Sequence, residues 1–531
     1  MRLPQMRGAL LVGLLATAVQ ARQTPFQLTH DDSAISVLTH PSLPAYSLRL
    51  HQVPDGVCEH GAPSYSGYLD VDLDQLYEYE REKGHVSAAS AASSGVVEHF
   101  YFWAFASRTH PDTDPLTLWL NGGPGCSSFT GLMMELGPCN AAKPQDGVPR
   151  TEWNPYSWVT NSSMIFLDQP VGVGFSYASW KNTSREGVPP SRIFDSAQAA
   201  RDVSAFLHLL ASHPDSPLAG RPQADGQRAL REFHMAGESY AGRYLPLIAS
   251  RVVNDNKHYA AHPEEGLVPL PLRSVLIGNG ITSPRHQNRA YVEYACTNQT
   301  GHGPFLDEAT CDTMWKKLPV CEDLVAKCGK KPHGKTACQT ASTFCEGALS
   351  APWEKTNTSF FDWQHGPEYE EGAYVSAFLN SEETRRHLGI DKFLIGDRHD
   401  GTFVDCSDQV YNDFASTGDG VRDSTWAVEH ILENGVRVLS YSGRRDFICN
   451  YIGNGHWIED LAWSGQQGYR DAPLEDWYVH GHKAGQFRHY GHLTYAIVDE
   501  AGHFVPLDQP SHALAMFARW IHPAGVPGRL S

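Results

Sequence analysis

The fold is decided by the stretch F-H-M-A-G-E-S-Y-A-G-R-Y-L-P, residues 233–246. Its first four residues are mostly apolar and follow a polar run, which predicts a short buried strand. Gly237 and Gly242 then flank Ser239 before a helix. Small residues are needed, because a larger side chain at Gly237 or Ala241 would collide with a neighbouring strand or helix. The pattern predicts a nucleophile elbow, a strained strand-to-helix turn that lifts a serine hydroxyl out of a sheet.

The usual elbow pattern is G-x-S-x-G, and here Ala241 replaces its last glycine. Taken alone, a serine between glycines in so long a chain is more often part of an ordinary turn than a nucleophile. The helix N-terminus behind it would direct backbone N–H groups toward a developing oxyanion. The rest of the chain must therefore supply a base, an acid and a second oxyanion donor.

Composition excludes several classes of protein. The 531 residues suit one large catalytic domain with insertions, or two domains. A net charge of −18 argues against nucleic acid and anionic membranes as partners, since both would be repelled. The 27 histidines would reduce this negative charge in mildly acidic conditions.

Residues 1–21 have the features of a secretory signal peptide. Arg2 and Arg7 precede an apolar run over residues 9–19, and the segment ends at the small residue Ala21. A membrane anchor is the alternative, but the run is short and no stop-transfer charges follow it. The sequence predicts a secreted protein, with the vacuole as a second destination.

The cysteines also indicate an oxidising compartment. Five of the 11 lie between residues 311 and 345 without the spacing and histidines of a zinc site, which favours disulfides. An odd total leaves at least one thiol free or paired outside the chain. Four glycosylation sequons accompany them, at Asn161, Asn182, Asn298 and Asn357.

Apolar segments and helical periodicity alternate along much of the chain, which favours a parallel sheet wrapped by helices. Strands are predicted at residues 66–72, 96–106, 115–120, 164–168, 233–236, 274–277, 436–441 and 493–498, and helices at 195–210 and 511–520. Residues 23–67 are polar and turn-rich, and an exposed loop is predicted at 86–95.

Between residues 284 and 380 the alternation breaks, and the chain becomes cysteine-rich, aromatic and irregular. We interpret this part as an insertion over the carboxyl edge of the sheet. The predicted organisation is a signal peptide (1–21), a first part of the catalytic domain (22–283), the insertion (284–380) and a second part (381–531).

A glycine cluster, N-G-G-P-G-C-S-S at residues 121–128, follows one predicted strand. Paired glycines allow close backbone approach to a ligand, and a loop in this place supplies an oxyanion donor in α/β hydrolases. A phosphate-binding loop is the rival, but its lysine is missing. A plain turn is the remaining alternative.

Asp446 and His503 each follow a late predicted strand. Singly, Asp446 could be a turn residue and His503 one of many ordinary histidines. Together with Ser239 they occur in the chain order Ser, Asp, His of the α/β hydrolases. Three such residues at three strand ends predict an α/β-hydrolase fold with a mostly parallel central sheet flanked by helices.

The chain resembles the serine carboxypeptidase family, most closely its fungal-type members. The resemblance lies in W-L-N-G-G-P-G-C-S-S (119–128), L-D-Q-P-V-G-V-G-F-S (167–176), G-E-S-Y (237–240), G-R-R-D-F-I-C-N (443–450) and G-H-F-V-P-L-D-Q-P (502–510). It implies an exopeptidase that removes single residues from peptide and protein C-termini through an acyl-enzyme, without cofactor or metal. An esterase or acyltransferase on the same scaffold, and a non-catalytic binding protein, are the rival functions.

The resemblance implies roles for individual residues. Ser239 is the expected nucleophile, His503 the general base and then acid, and Asp446 the residue that orients the imidazole. The expected oxyanion donors are the backbone N–H groups of Gly123 and Tyr240.

A terminal carboxylate also needs a binding group, for which the resemblance implies Asn121, the Gly122 N–H, Glu135 and Glu238. Two glutamates beside a carboxylate are compatible only if they keep protons, as crowded like charges favour. We therefore expect peptidase activity to be highest in mildly acidic conditions. Without the resemblance, Glu135 would be an ordinary charge on a surface helix.

The family carries a free cysteine near its binding site, and the matching residue is Cys449. By the same resemblance Cys126 pairs with Cys406, Cys321 with Cys345 and Cys328 with Cys338. Pairing Cys296 with Cys311 and Cys58 with Cys139 is a guess for the four that remain.

Overall fold

The structure is a computed structural model. It describes residues 36–59, 61–82, 95–182, 192–213, 220–222, 228–328, 334–366, 369–394 and 400–522, together with positions 184, 185, 187, 189 and 216. The predicted signal peptide and nearly all of the predicted loop at 86–95 lie outside the described residues.

Thirteen strands of the described residues form one mixed sheet, in the order β1-β2-β3-β4-β8-β5-β12-β13-β14-β17-β16-β15, with β9 beside β4. The six strands from β8 to β17 are mutually parallel, and the outer strands pair antiparallel. The strands are β1 Ser36–Thr39, β2 Tyr46–Val53, β3 Ser64–Asp72, β4 Val96–Phe105, β5 Leu116–Leu120, β6 Cys139–Gln145, β7 Val148–Trp153, β8 Ser163–Leu167, β9 Tyr177–Trp180, β10 Gly220–Pro222, β11 Arg228–Leu230, β12 Phe233–Ser239, β13 Leu272–Gly280, β14 Arg437–Gly443, β15 Glu475–Val479, β16 His482–Tyr490 and β17 Leu493–Val498.

Helices cover both faces of the sheet. They are α1 Leu73–Glu82, α2 Ser196–Ser212, α3 Ala241–Ala261, α4 Pro284–Cys296, α5 Glu308–Lys327, α6 Gly334–Cys345, α7 Glu371–Leu379, α8 Glu382–His387, α9 Asp391–Leu394, α10 Asp408–Thr417, α11 Thr425–Glu433, α12 Tyr451–Asp460, α13 Gln466–Asp471, α14 Val505–Asp508 and α15 Pro510–Ile521. No helix in these described ranges is both long and apolar enough to cross a membrane.

The central strands are apolar on both sides because both sheet faces are covered. Along β12, Met235 joins the core on one face and Ala236 the core on the other. On the second face the rings of Trp158 and Phe517 stack with centroids 4.1 Å apart. This burial fixes the register of the strands, and it places their carboxyl ends along one edge. The predicted α/β-hydrolase fold is confirmed.

The secondary structure differs from the sequence analysis in three places. The polar segment 23–67 contains β1, β2 and the start of β3, whose alternating side chains bury one face. Helix α1 follows β3 and was not predicted. The segment 284–380 is largely helical: it contains α4–α7, and a short π-helical turn and a 3₁₀-helical turn lie between α6 and α7.

Five disulfides join ten of the cysteines, in the pairs that the sequence analysis names. They are Cys58–Cys139, Cys126–Cys406, Cys296–Cys311, Cys321–Cys345 and Cys328–Cys338. Cys449 is unpaired and buried. Three of these bonds lie wholly within residues 284–345, where they tie α4, α5 and α6 together.

Candidate active site

The elbow forms at the end of β12. Ser239 has a φ of 62°, in the left-handed region that non-glycine residues rarely adopt, and α3 begins two residues later. A Cβ atom on Gly237 would overlap the Leu120 carbonyl oxygen, and one on Gly242 would lie 2.7 Å from the Gly280 Cα. The neighbouring backbones therefore require both glycines, and the strained turn exposes the serine hydroxyl.

A histidine and an aspartate meet beside this turn. Asp446 follows β14 and His503 follows β17, and both side chains are buried. The His503 Nδ1 atom lies 2.8 Å from Asp446 Oδ2. Because an ionised carboxylate only accepts hydrogen bonds, Nδ1 carries the proton and Nε2 is left as the basic nitrogen.

Asn279 is a residue of this site that the sequence analysis did not identify. Its Nδ2 donates to Asp446 Oδ2 at 2.7 Å, and its Oδ1 accepts from the Gly443 N–H at 3.2 Å. The Cys449 N–H donates to the other carboxylate oxygen at 3.2 Å. Asp446 therefore accepts hydrogen bonds from three donors. In the sequence, Asn279 was marked only by its place in the strand-end triplet Gly278-Asn279-Gly280.

The free thiol of Cys449 lies among these groups. Its Sγ, a carboxylate oxygen of Asp446 and a ring nitrogen of His503 all lie within 4.8 Å of one another. Burial raises the pKa of the thiol well above its usual value, although a hydrogen bond with Ser239 opposes the shift. The serine, the thiol, the imidazole and the carboxylate are therefore brought together at one edge of the sheet.

The glycine loop lies directly against the elbow. A Cβ atom on Gly122 would lie 2.7 Å from the Ser239 Cβ and would overlap the Tyr240 backbone nitrogen. Gly123 has a φ of 103°, which also favours glycine. The backbone of this loop therefore approaches Ser239 more closely than any side chain would allow.

Asp168 anchors the far end of the same loop. It accepts hydrogen bonds from the Ser127 hydroxyl at 2.6 Å and from the N–H groups of Ser128 and Phe175, both at 3.1 Å. The Ser128 hydroxyl in turn accepts the Asn121 N–H at 3.2 Å. Burial raises the pKa of Asp168 to about 7 despite these donors.

Asn121 connects the loop to a pair of buried glutamates. Its Oδ1 accepts from the Trp119 indole at 2.7 Å and from the Gly131 N–H at 3.1 Å, which fixes the orientation of the amide. Its Nδ2 then donates to Glu238 Oε1 at 2.8 Å. The amide presents its donor side to Glu238.

Glu135 and Glu238 are both 2% exposed. Glu135 belongs to a π-helical turn, Gly131–Leu136, so its alternative as a surface helix charge was wrong. Burial raises the pKa of Glu135 to about 8. Burial and the neighbouring Glu135 charge raise the pKa of Glu238 well above its usual value. Two buried carboxyls in contact avoid repulsion by sharing a proton.

Phe361, from the segment 284–380, contacts the histidine. Its backbone carbonyl accepts a hydrogen bond from the backbone N–H of His503 at 2.7 Å. The centroids of the two side-chain rings lie 4.9 Å apart. No short motif marks this phenylalanine, so the sequence analysis missed it. The contact fixes His503 and partly covers it with an apolar ring.

Tyr240, the residue after Ser239, is held by a buried aspartate that the sequence analysis also missed. The Tyr240 hydroxyl donates to Asp419 at 2.8 Å, as do Arg243 Nε at 2.8 Å and the Ser196 hydroxyl at 2.5 Å. Burial opposes the charge of Asp419, but Arg243 and the hydroxyl donors outweigh it and lower the pKa. The start of α3 is therefore tied to the segment that follows α10.

A cleft of about 320 Å³ opens beside Gly123 and Tyr240. Its walls come from α4, α6, α10 and the turn after α10. Its lining includes Ile281, Tyr291, Cys345, Glu346, Tyr411, Phe414 and Val421. The segment 284–380, α10 with the turn after it, and loops that follow the central strands together form this cleft, which is mostly apolar.

Comparisons with known proteins agree with this geometry. The family model described as serine carboxypeptidase matches residues 64–523. Carboxypeptidase Y of Candida albicans is 35% identical over 489 residues, 91% of this chain and 78% of that protein. Carboxypeptidase Y of Komagataella phaffii is 34% identical over 486 residues, 90% and 80% of the two chains.

A solved structure gives the same fold. Kex1(delta)p, a prohormone-processing carboxypeptidase from Saccharomyces cerevisiae, superposes with a TM-score of 0.66 at 23% identity, covering 88% of this chain and 92% of that one. The family match spans most of the described sheet and every site residue above. The chain belongs to the serine carboxypeptidase family.

Proposed function

We propose that this serine carboxypeptidase hydrolyses the last peptide bond of peptides and proteins, with Ser239 as nucleophile. The observation that carries the proposal is the pairing of a strained serine turn with a buried His503–Asp446 hydrogen bond of 2.8 Å. A neutral imidazole with its Nδ1 proton fixed offers Nε2 to the serine hydroxyl, as general-base catalysis requires.

In the first step Ser239 Oγ attacks the scissile carbonyl as His503 takes its proton. The backbone N–H groups of Gly123 and Tyr240 stabilise the oxyanion, a contribution of about 3 kcal/mol per donor. His503 then protonates the leaving amine, and the C-terminal amino acid departs. Water, activated by the same imidazole, releases the shortened peptide from Ser239.

The terminal carboxylate binds to Asn121, the Gly122 N–H and the glutamate pair. A carboxyl that keeps its proton donates a hydrogen bond to the substrate, whereas an ionised one repels it. Burial favours the protonated form of Glu135 and Glu238, which supports the proposal. The affinity for peptides should therefore be greatest at mildly acidic pH and decrease in alkali, as the pair loses its proton.

Turnover of a blocked dipeptide and of its C-terminal amide tests this proposal. The free acid should be the better substrate by at least tenfold at pH 5–6, since one hydrogen bond to a charged group contributes about 1.5–3 kcal/mol. Ser239→Ala should abolish turnover and labelling by a fluorophosphonate. Equal turnover of acid and amide would instead indicate an esterase or amidase, and labelling of the variant would exclude Ser239 as the nucleophile.

We also propose that the protein is secreted, with the vacuole as the alternative, and that residues 284–380 act as an insertion that shapes the substrate cleft. Support comes from the sequence of residues 1–21 and from five disulfides, which form in oxidising compartments. The sequon residues Asn182, Asn298 and Asn357 are exposed, while Asn161 is half-buried. Glycan mapping of the protein recovered from the culture medium tests whether it is secreted and which of these asparagines are glycosylated.

A further inference from the structure

The cleft beside the oxyanion loop contains one acidic side chain that the steps above do not use. Glu346 lines this cleft together with Gly123 and Tyr240. Its side chain is exposed, and its carboxylate has no ion pair or hydrogen bond with any described residue. An unpaired carboxylate in a substrate cleft remains available to a cationic group of the substrate.

The backbone at Glu346 is well anchored. It begins a π-helical turn, Glu346–Ser350, directly after Cys345, which is buried and bonded to Cys321 in α5. The Ser350 hydroxyl donates to the Glu346 carbonyl at 3.1 Å. The carboxylate is therefore presented from a fixed base rather than from a free loop.

The surroundings of Glu346 suit a long side chain that ends in a cation. The described lining contains no lysine, arginine or histidine that could neutralise the carboxylate. Tyr291 and Tyr411 lie in the same lining, and after burial the Glu346 charge contributes to raising the pKa of both. Apolar side chains such as Phe414 and Val421 would contact an aliphatic stem, and tyrosine rings also attract cations.

The position of the cleft decides which substrate residue enters it. Its lining includes both oxyanion residues, Gly123 and Tyr240, but neither Glu135 nor Glu238. The C-terminal residue is held by the glutamates, so this cleft remains for the residue before it. The carbonyl of that penultimate residue is the one that Ser239 attacks.

We propose that Glu346 is a specificity-determining residue that favours lysine or arginine at the penultimate position of the substrate. The proposal rests on the proposed function, because it assigns the cleft to the acyl side of the bond that Ser239 cleaves. Its physical basis is the attraction between an exposed carboxylate and an ammonium or guanidinium group, which salt weakens.

Two blocked dipeptides that differ only in charge test the proposal: one with lysine and one with norleucine before a C-terminal leucine. The measured quantity is the lysine-to-norleucine ratio of kcat/KM for wild type and Glu346→Gln at pH 6. The ratio should fall about three- to fivefold in the variant, as expected for an exposed ion pair. In wild type, 0.5 M salt should lower the ratio in the same direction.

Glu354→Gln is the matched control, since Glu354 is exposed in the same segment but lies outside the described lining. Its ratio should equal that of wild type. An unchanged ratio in Glu346→Gln, or an equal fall in Glu354→Gln, overturns the assignment of Glu346. Failure of wild type to cleave either dipeptide would instead count against the proposed function, so the two failures are distinguishable.

Discussion

Replacing Glu135 with glutamine should remove most of the pH dependence of substrate affinity. Glu135 is 2% exposed, and burial raises its pKa to about 8. In the proposed function its protonated form donates to the substrate carboxylate, so we expect wild-type affinity to be highest well below pH 8 and to decrease above it. An amide donates a hydrogen bond at every pH, and it occupies nearly the same space as a protonated carboxyl.

The magnitude follows from the titration. With a pKa of about 8, the dissociation constant of wild type should rise about 30-fold between pH 6 and pH 9.5, since each pH unit above the pKa is a factor of ten. The Glu135→Gln variant should change by less than about threefold over the same range. Glu135→Ala lacks the donor, and its affinity should be about tenfold weaker even at pH 6, the effect of one lost hydrogen bond to a charged group.

The assay should measure binding alone, because KM also contains the rates of the chemical steps. The substrate is a blocked dipeptide, and its dissociation constant is measured by calorimetry in a Ser239→Ala background, with and without the Glu135 substitutions. A flat wild-type curve would refute the proton-sharing argument. So would a glutamine variant that binds as weakly at pH 6 as the alanine variant does.

The remaining predictions concern the supports of the site. Asn279→Ala removes one of three donors to Asp446, and we expect kcat to fall about tenfold or more with little change in KM, measured with a blocked dipeptide at pH 6. Tyr240→Phe keeps the backbone N–H but loses the hydrogen bond from the tyrosine hydroxyl to Asp419, so kcat should fall severalfold. Ser196→Ala, which removes another donor to the same aspartate away from the elbow, should leave kcat within about twofold. Glu135→Gln should raise the melting temperature at pH 8 but not at pH 4. Burial raises the pKa of Glu135 in the folded protein above its value in the unfolded chain. The free energy of unfolding of wild type is therefore highest below the pKa of the unfolded chain and decreases as the pH rises toward 8. A melting curve at each pH checks this sign, and an equal shift at both would contradict it.

Local patterns were sufficient to predict the central strands. β17 is Leu493–Val498, the same range that the sequence predicts, because a fully buried parallel strand is a continuous apolar run between turn residues. The elbow is also marked by a short motif, although the backbones that require its two glycines, at Leu120 and Gly280, are distant in the chain. In both cases the sequence signal itself lies within a few residues.

Other features depend on residues distant in the chain, and no local pattern indicates them. Asn279 lies 167 positions from the carboxylate it supports, and Tyr240 lies 179 positions from Asp419. β2 alternates apolar and polar residues inside a segment rich in turn formers. The overall polarity of that segment therefore did not indicate that one face of the strand is buried. The helices α4, α5 and α6 are joined by disulfides and pack against one another and against α10 and α12, contacts that composition does not reveal.

The buried carboxyl groups of the site differ in the hydrogen-bond donors that surround them. Asp446 is fully buried, yet it accepts hydrogen bonds from His503, Asn279 and the Cys449 N–H, and such donors stabilise a charged carboxylate. Glu135 is equally buried, but its oxygens accept no hydrogen bond from an amide, an imidazole or a backbone N–H among the described residues, and its partner is the other carboxyl, Glu238. Burial without such donors favours the protonated form. We therefore expect the donors around each acid to decide its role: Asp446, with three donors, orients the histidine, and Glu135 keeps a proton for the substrate carboxylate.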